Sequence, residues 1–231
     1  MITTVLQRSW DSTFFGVRVF EAHPRHDELS QAVAEAARSE AECLYLFVDA
    51  GDLVTIETAV RNGAQLVDLR VELAGRVRPE TGGSASPTRR ATHADREALL
   101  SQARELAIES RFARDARFPH ERVREMYEIW LERCLDEGVV AVPDARGAGF
   151  VGARRDGDDA RIELVYVDAA SRGQGLGRAL IHEAVAALAA SNVSVVTQTG
   201  NVAAQRLYQS LGLRSRSTIA VLHLWLDDGD G

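Results

Sequence analysis

The sequence predicts an α/β (α+β) protein in which a mixed, mostly antiparallel central sheet is flanked by helices and preceded by a small α/β N-terminal domain. Three observations support this fold class. An apolar strand at residues 162–167 leads into a glycine-bearing turn and a helix. A second β-rich run, 193–198, leads through Thr199-Gly200 into a short helix that ends at Gly212. Asp156-Gly157 separates two strand-like runs and predicts a hairpin, which joins antiparallel strands.

The N-terminal part, residues 1–77, alternates between strand and helix patterns. Asp52 can cap a helix that runs to Arg61, and Asn62-Gly63 follows at its end. The run 43–48 is continuously apolar, which is typical of a buried strand. The remaining predicted elements are a strand at 16–20, a helix at 28–39 and a strand at 65–73. The sequence therefore predicts a small α/β domain here.

A stretch rich in glycine, proline and serine, residues 78–87, predicts a flexible linker between this domain and a second one at 88–231. In the second domain, Pro119 marks a helix start, and an apolar stripe follows it up to Gly138. The other elements predicted there are a strand at 88–92, a helix at 95–109, strands at 139–142, 147–154 and 161–167, a helix to about residue 190, and a final strand at 217–226.

Composition excludes several classes of function. The chain has 231 residues and a formal charge of −7 without a long basic run, so nucleic acid is not an expected partner. Its longest apolar stretches are much shorter than the ~20 residues of a membrane span, and the start of the chain lacks a signal-peptide pattern. Cys43 and Cys134 are expected to be buried thiols, and the six histidines are scattered. We expect a cytoplasmic protein without a metal site.

The turn after the strand at 162–167 has the features of an anion site. Gly173, Gly175 and Gly177 alternate where the turn passes into a helix, and the first turn of a helix offers free N–H groups and a positive dipole end. Arg172 and Arg178 flank it with positive charge. A Walker loop requires Gly-Lys-Ser/Thr, which is missing, and a dinucleotide fingerprint requires glycine where Arg178 stands. An ordinary tight strand-to-helix turn is the remaining alternative.

The pattern that fits is Arg-x-x-Gly-x-Gly, carried by Arg172, Gly175 and Gly177, and it resembles the acyl-CoA pyrophosphate loop of the GNAT superfamily of N-acetyltransferases. The second motif of that family, Asn-x-x-Ala-x-x-x-Tyr, matches Asn201 and Tyr208. Seven residues are roughly two helical turns, so these two side chains share one helix face. Leu213 replaces the usual aromatic residue after Gly212. The order of elements in the second domain also matches the GNAT fold.

The resemblance implies acetyl-CoA as cosubstrate and assigns roles to residues of this chain. The main chain of Val165 and Val167 holds the pantetheine arm, the Val167 N–H polarises the thioester carbonyl, and Asn201 fixes the arm. Tyr208 is the candidate general acid toward the CoA sulfur. The alternative roles for Asn201 and Tyr208 are a helix N-cap and a core residue. The implied cofactor-binding set is Val165, Tyr166, Val167, Arg172, Gly173, Gln174, Gly175, Leu176, Gly177, Arg178 and Asn201.

Glu163 is a carboxylate inside an otherwise apolar strand, where burial without a purpose is costly. It is therefore the candidate general base, acting directly or through water. The alternative is a structural salt bridge with Arg161 or with an arginine from elsewhere in the chain.

Two further segments are similar to the TDP-fucosamine acetyltransferases. They are Trp10-Asp11-Ser12-Thr13-Phe14-Phe15-Gly16 and the run from Ser110-Arg111-Phe112 to Arg117-Phe118-Pro119, which Tyr127-Glu128-Ile129-Trp130-Leu131 follows. This resemblance implies a dTDP-linked 4-amino-4,6-dideoxy sugar as acceptor, with Arg111, Phe112 and Arg117 as substrate-binding residues. The alternative for Trp10, Phe14 and Phe15 is a role in the core of the small domain.

Three functions therefore remain in competition. The first is acetylation of a nucleotide-linked amino sugar, and the second is acetylation of another small amine, such as an antibiotic, a polyamine or a peptide N-terminus. The third is a non-catalytic acyl-CoA-binding module, against which the presence of Tyr208 argues because a sensor needs no acid for the thiol. The oligomeric state is left open, with a homodimer as one alternative.

Overall fold

The computed structural model describes residues 3–78, 87–144 and 147–226. These residues form two compact units, and neither unit is one continuous stretch of chain. The first comprises 3–70, 111–119 and 217–226, and the second comprises the remaining described residues. The predicted linker lies largely outside the described residues, because 79–86 are not among them. The division into domains at 1–77 and 88–231 stays a prediction about independent folding.

The described chain contains ten strands and seven α-helices. In chain order they are β1 (Leu6–Gln7), α1 (Ser9–Phe15), β2 (Val19–Ala22), α2 (Leu29–Arg38), β3 (Cys43–Asp49), α3 (Leu53–Arg61), β4 (Gln65–Gly75), β5 (Thr88–Arg90), α4 (Arg96–Leu106), α5 (His120–Glu137), β6 (Val139–Pro143), β7 (Gly149–Asp156), β8 (Asp159–Val167), α6 (Leu176–Leu188), β9 (Val193–Gln198), α7 (Val202–Ser210) and β10 (Arg214–Trp225). Short 3₁₀ turns lie at η1 (His93–Asp95), η2 (Ala107–Glu109) and η3 (Ala169–Ser171). The predicted fold class, an α/β protein with a mixed sheet and flanking helices, is confirmed.

In the first unit, β2 pairs in parallel with β3, and β3 pairs antiparallel with β10 from Asp49–Ile219 to Cys43–Trp225. The run predicted to be a buried strand is β3, and its first six residues are buried. One core cluster lies where apolar side chains of β3 and β10 meet small residues of α2 and α3, such as Ala32, Ala36 and Ala59. Asp52 caps α3 as predicted, since its carboxylate accepts from the Thr55 N–H at 3.1 Å.

One helix of this unit escaped the sequence analysis. Helix α1 covers most of the Trp10–Gly16 segment and ends at Gly16, which has a φ of 74°. The helix has only seven residues, and its first turn lacks a side-chain cap. Phe15 packs against Phe112 and Phe118 of the same unit, with ring centroids 5.4 and 4.7 Å away. The segment therefore contributes to an aromatic cluster of the first unit.

The second unit carries antiparallel strands in the order β8-β7-β6-β5, and β9 joins β8 in parallel. The predicted hairpin is the β7–β8 connection, with Gly157 at a φ of 62°. One apolar cluster packs α6 and α7 on one face of β8, and a second packs α4 and α5 on the other face. Cys43 in the first unit and Cys134 in the second are buried free thiols, as expected.

A bulge at Glu163 changes the course of β8. Gly152 lies opposite Leu164 and Ala153 lies opposite Ile162, so Glu163 is an extra residue without a partner on β7. Consequently Ile162 packs on the α6 side while Leu164, two residues later, packs on the α4 side. The pairing of β8 with β9 ends close by, at Ile162–Val195, although both strands continue. The rest of β8 and the rest of β9 thus border an opening in the sheet.

None of the helices in the described ranges combines the length and the apolar character that a membrane span requires. Within the same ranges, no three His, Cys, Asp or Glu side chains are grouped so that they could hold a metal ion.

Candidate functional site

The opening between β8 and β9 exposes main-chain groups of β8. The Asp168 N–H donates to the Ala148 carbonyl at 3.0 Å, so this amide points toward β7. Because successive N–H groups of a strand point in opposite directions, the Val167 and Val165 amides point away from β7, toward the opening. The Tyr166 amide points toward β7 instead. These directions match the pantetheine-binding role that the resemblance implies for Val165 and Val167, and they leave Tyr166 to act through its side chain.

The glycine turn follows β8 directly and leads into α6. Gly173 and Gly175 have φ values of 76° and 83°, a left-handed conformation that favours glycine. Gly177 serves packing instead, because a Cβ there would lie 3.1 Å from the Leu207 side chain on α7. The turn therefore depends on two glycines for its backbone shape and on the third for the contact between α6 and α7.

Two arginines, Arg172 and Arg178, lie at this turn and form hydrogen bonds to uncharged groups. The Arg172 Nε donates to the Val167 carbonyl at 3.0 Å, and an Arg178 Nη donates to the Ser210 hydroxyl at 2.8 Å. The Gln174 amide closes the turn with a bond to the Ala170 carbonyl at 2.9 Å. In the described parts of the chain, no Asp or Glu forms an ion pair with Arg172 or Arg178. Uncompensated charge beside free helix N–H groups suits a pyrophosphate.

The two residues of the second motif lie on α7. Asn201 is its N-cap, and the Asn201 Oδ1 accepts from the Ala204 N–H at 3.1 Å. This hydrogen bond uses the amide oxygen of Asn201, so its NH₂ group can donate to another acceptor. Tyr208 packs in the apolar cluster of α6 and α7 and is only 3% exposed. Burial raises the pKa of the Tyr208 phenol, so the group stays protonated at neutral pH.

The carboxylate of Glu163 is already engaged. The Glu163 Oε1 lies 3.1 Å from an Arg154 Nη and 3.9 Å from the Arg161 Nε. Arg154 also pairs with Glu137 of α5 at 3.0 Å. This ion pair is the structural role that the sequence left open as an alternative to catalysis.

The predicted substrate-binding residues lie in the first unit. The Arg111 guanidinium stacks between two rings, 4.2 Å from the centroid of Tyr45 and 4.3 Å from that of Phe112. Such stacking stabilises a cation electrostatically. Arg117 lies over the Trp225 ring at 4.9 Å. Phe112 is buried in the aromatic cluster. Among the described residues, no carboxylate pairs with Arg111.

Two residues that the sequence analysis missed hold Arg111 in place. An Arg111 Nη lies 3.1 Å from the His223 Nε2, and the His223 Nδ1 lies 2.7 Å from the Asp115 Oδ2. The Trp225 indole N–H donates to the same Asp115 oxygen at 3.0 Å. His223 and Asp115 are 0% and 2% exposed. Asp115 lies inside the recognised Ser110–Pro119 run, but only the fold brings His223 to it.

The titration of the pair follows from its burial. Burial lowers the pKa of His223 to about 4, although the hydrogen bond with Asp115 acts in the opposite direction. Burial also disfavours the Asp115 carboxylate, but hydrogen bonds from His223 and Trp225 outweigh it and lower the Asp115 pKa. At neutral pH a neutral imidazole therefore donates to Asp115 and accepts from Arg111.

We expect His223 to make the protein less stable in mild acid. The unfolded histidine takes up a proton near its ordinary pKa of 6.5, whereas the folded one stays neutral down to about 4. The unfolded state then binds more protons, so the free energy of unfolding falls by up to about 3 kcal/mol between those pH values. Urea unfolding between pH 7 and 4.5 measures this slope. His223→Gln, which cannot titrate, should flatten it; equal slopes in both proteins would contradict the assignment.

Comparisons with known proteins identify a matching family profile and similar folds. The sequence profile of the acetyltransferase (GNAT) family matches residues 100–213, which include the glycine turn and the second motif. Among curated proteins, none matches the sequence. A GCN5-related N-acetyltransferase from Sphaerobacter thermophilus is similar in structure, with a TM-score of 0.62 at 17% identity over 98% of this chain and 77% of that one.

Two other solved structures share the fold. A GCN5-related N-acetyltransferase from Kribbella flavida has a TM-score of 0.55 at 14% identity, over 92% of this chain and 82% of that one. A tandem GNAT protein from the clavulanic acid biosynthesis pathway has a TM-score of 0.52 at 16% identity, over 93% and 77%. The chain has a GNAT fold, and residues 100–213 match the sequence profile of the acetyltransferase (GNAT) family.

Proposed function

We propose that this protein is an acetyl-CoA-dependent N-acetyltransferase. The observation that carries the proposal is the pair of Val165 and Val167 amides directed into the opening of the sheet, directly before the glycine turn. A main chain that is not paired in the sheet can form hydrogen bonds with an extended pantetheine arm as a neighbouring strand would. Arg172 and Arg178 supply positive charge for the pyrophosphate at the start of α6.

The chemistry uses the second motif. The nitrogen of the acceptor amine bonds to the acetyl carbon, the carbon–sulfur bond breaks, and the sulfur takes a proton while the nitrogen loses one. The Val167 N–H donates to the thioester carbonyl oxygen, on which negative charge develops. The Tyr208 phenol, which is protonated at neutral pH, supplies the proton to the sulfur. Asn201 donates its free amide N–H to the pantetheine arm.

For the acceptor we propose an amino sugar linked to a nucleoside diphosphate. The similarity to TDP-fucosamine acetyltransferases supports it, and so does the state of Arg111. A guanidinium that no carboxylate neutralises among the described residues, held rigidly by two rings and by His223, is suited to bind a phosphate. Phe112 belongs to the aromatic cluster of the first unit, and Arg117 adds a second cation in the same unit.

An assay of acetyl-CoA consumption against a panel of amines tests both levels of the proposal. We expect turnover with dTDP-4-amino sugars, and we expect Arg111→Ala to raise the KM for the nucleotide sugar about tenfold, on the order of 1.4 kcal/mol. The affinity for acetyl-CoA should stay the same.

Arg61→Ala is the matched control, because Arg61 is an exposed arginine of the same unit whose partner is Glu57 of its own helix. Turnover only with other amines would support the acetyltransferase proposal and refute the proposal that the acceptor is a nucleotide-linked amino sugar. Binding of acetyl-CoA without turnover of any amine would instead favour a non-catalytic acyl-CoA-binding module.

A further inference from the structure

The segment at the end of α4 spans the opening between β8 and β9 on one face of the second unit. From β8, the Tyr166 hydroxyl donates to the Glu105 Oε2 at 2.7 Å. From β9, the Gln198 side-chain amide donates to the Glu109 carbonyl in η2. Tyr166 and Gln198 both lie beyond the last pair of the two strands, Ile162–Val195. Because one short segment is tied to both diverging strands, the Glu105 carboxylate lies at the mouth of the opening.

Glu105 is an exposed carboxylate that forms no ion pair with any described residue. Its neighbour Arg104 is directed to Glu121 and Glu128 of α5, and in the described parts of the chain no arginine pairs with Glu105. Glu105 is held by a hydrogen bond from the Tyr166 hydroxyl. A solvated carboxylate of this kind can bind an ammonium group and can exchange its proton with water.

Two charged side chains near Tyr166 act on its hydroxyl. Asp168 and Arg172, in the turn after β8, act on the pKa of Tyr166 with opposite signs. The hydrogen bond to Glu105 raises the pKa of Tyr166 to about 12. The phenol therefore stays protonated and remains the donor of this hydrogen bond. Glu163 differs, because Arg154 and Arg161 both contact its carboxylate.

We propose that Glu105, held by Tyr166, is the carboxylate that receives the acceptor amine and takes its proton. This inference rests on the proposed acetyltransferase function. The substrate ammonium, R–NH₃⁺, gives one proton to the Glu105 carboxylate, which passes it to water. The neutral nitrogen then bonds to the acetyl carbon as the carbon–sulfur bond breaks. The second proton leaves the nitrogen through water as Tyr208, which protonated the sulfur, recovers its own. Tyr166 is a positioning residue, because it acts by orienting Glu105.

The test is the pH profile of kcat/KM for the amine that the panel assay identifies. Glu105→Gln should lower kcat/KM about 100-fold at pH 7, the lower end of the range for general base catalysis. The deficit should shrink as the pH approaches the pKa of the amine, because an amine that is already neutral needs no base. Glu105→Asp should recover part of the activity. Tyr166→Phe should give an intermediate loss with the same recovery at high pH, and the KM for acetyl-CoA should not change in the two Glu105 variants.

Two controls make the outcome decisive. Glu97→Gln removes an exposed carboxylate at the other end of α4, and we expect it to match the wild type. Glu163→Gln breaks an ion pair, so any loss it causes should be independent of pH. The inference would be overturned if Glu163→Gln lost kcat/KM at pH 7 and recovered it at high pH while Glu105→Gln kept the kcat/KM of the wild type. That result would leave the acetyltransferase proposal in place. A wild-type protein that acetylates no amine would overturn both, so the two failures are distinguishable.

Discussion

Replacement of Gly175 by valine is expected to weaken acetyl-CoA binding strongly, by about 100-fold or more. Gly175 has a φ of 83° at the N-cap of α6, a conformation that a β-branched residue tolerates poorly. A valine would force the turn into another conformation and turn its N–H groups away from the pyrophosphate. Titration calorimetry with acetyl-CoA measures the loss directly.

The control for backbone strain is Gly157→Val. Gly157 has a φ of 62°, and a Cβ at this position, as at Gly175, would meet no atom within 4 Å. The two substitutions should therefore reduce stability by similar amounts, which thermal unfolding can compare. Gly157 lies in the β7–β8 hairpin turn, so its variant should retain acetyl-CoA binding. A folded Gly175→Val protein with wild-type affinity would show that the turn does not bind the pyrophosphate.

Replacement of Tyr208 by phenylalanine is expected to lower kcat about 10²–10⁴-fold with little change in either KM. The substitution keeps the ring, which is 3% exposed in the α6–α7 cluster, and removes only the hydroxyl. If the hydroxyl protonates the departing sulfur, its contribution arises in the transition state and therefore appears in kcat. Steady-state kinetics with saturating acetyl-CoA gives this value.

Tyr127→Phe provides the comparison, since Tyr127 lies on α5 and packs its ring 5.0 Å from Trp130. Its variant should keep the kcat of the wild type. A Tyr208→Phe enzyme within a factor of two of the wild type would make Tyr208 a core residue only, the alternative that its burial supports. A burst of product in the first turnover would point instead to slow product release as the affected step.

Local features of the molecule were accessible from the sequence because they depend on short-range geometry. The alternation of Gly173, Gly175 and Gly177 after an apolar strand predicted the turn, and two of these residues do adopt positive φ. The cap at Asp52, the hairpin at Asp156-Gly157 and the buried strand β3 were predicted from neighbouring residues and are confirmed. The resemblance of the two motifs and of the element order to the GNAT superfamily implied the GNAT fold.

The partners of the charged side chains were decided by the tertiary structure alone. Tyr166 meets Glu105 across 61 residues of sequence, and Arg111 meets His223 across 112. In the sequence, Glu163 is a candidate catalytic residue because it is a carboxylate inside an apolar strand. In the folded chain, the bulge in β8 and the approach of Arg154 determine what it contacts. The sequence by itself determined the glycine turn and the order of most elements, because local backbone preferences and periodicity encode them. The availability of a carboxylate for an ammonium depends on which cation the fold brings beside it, and this is a long-range property of the folded chain.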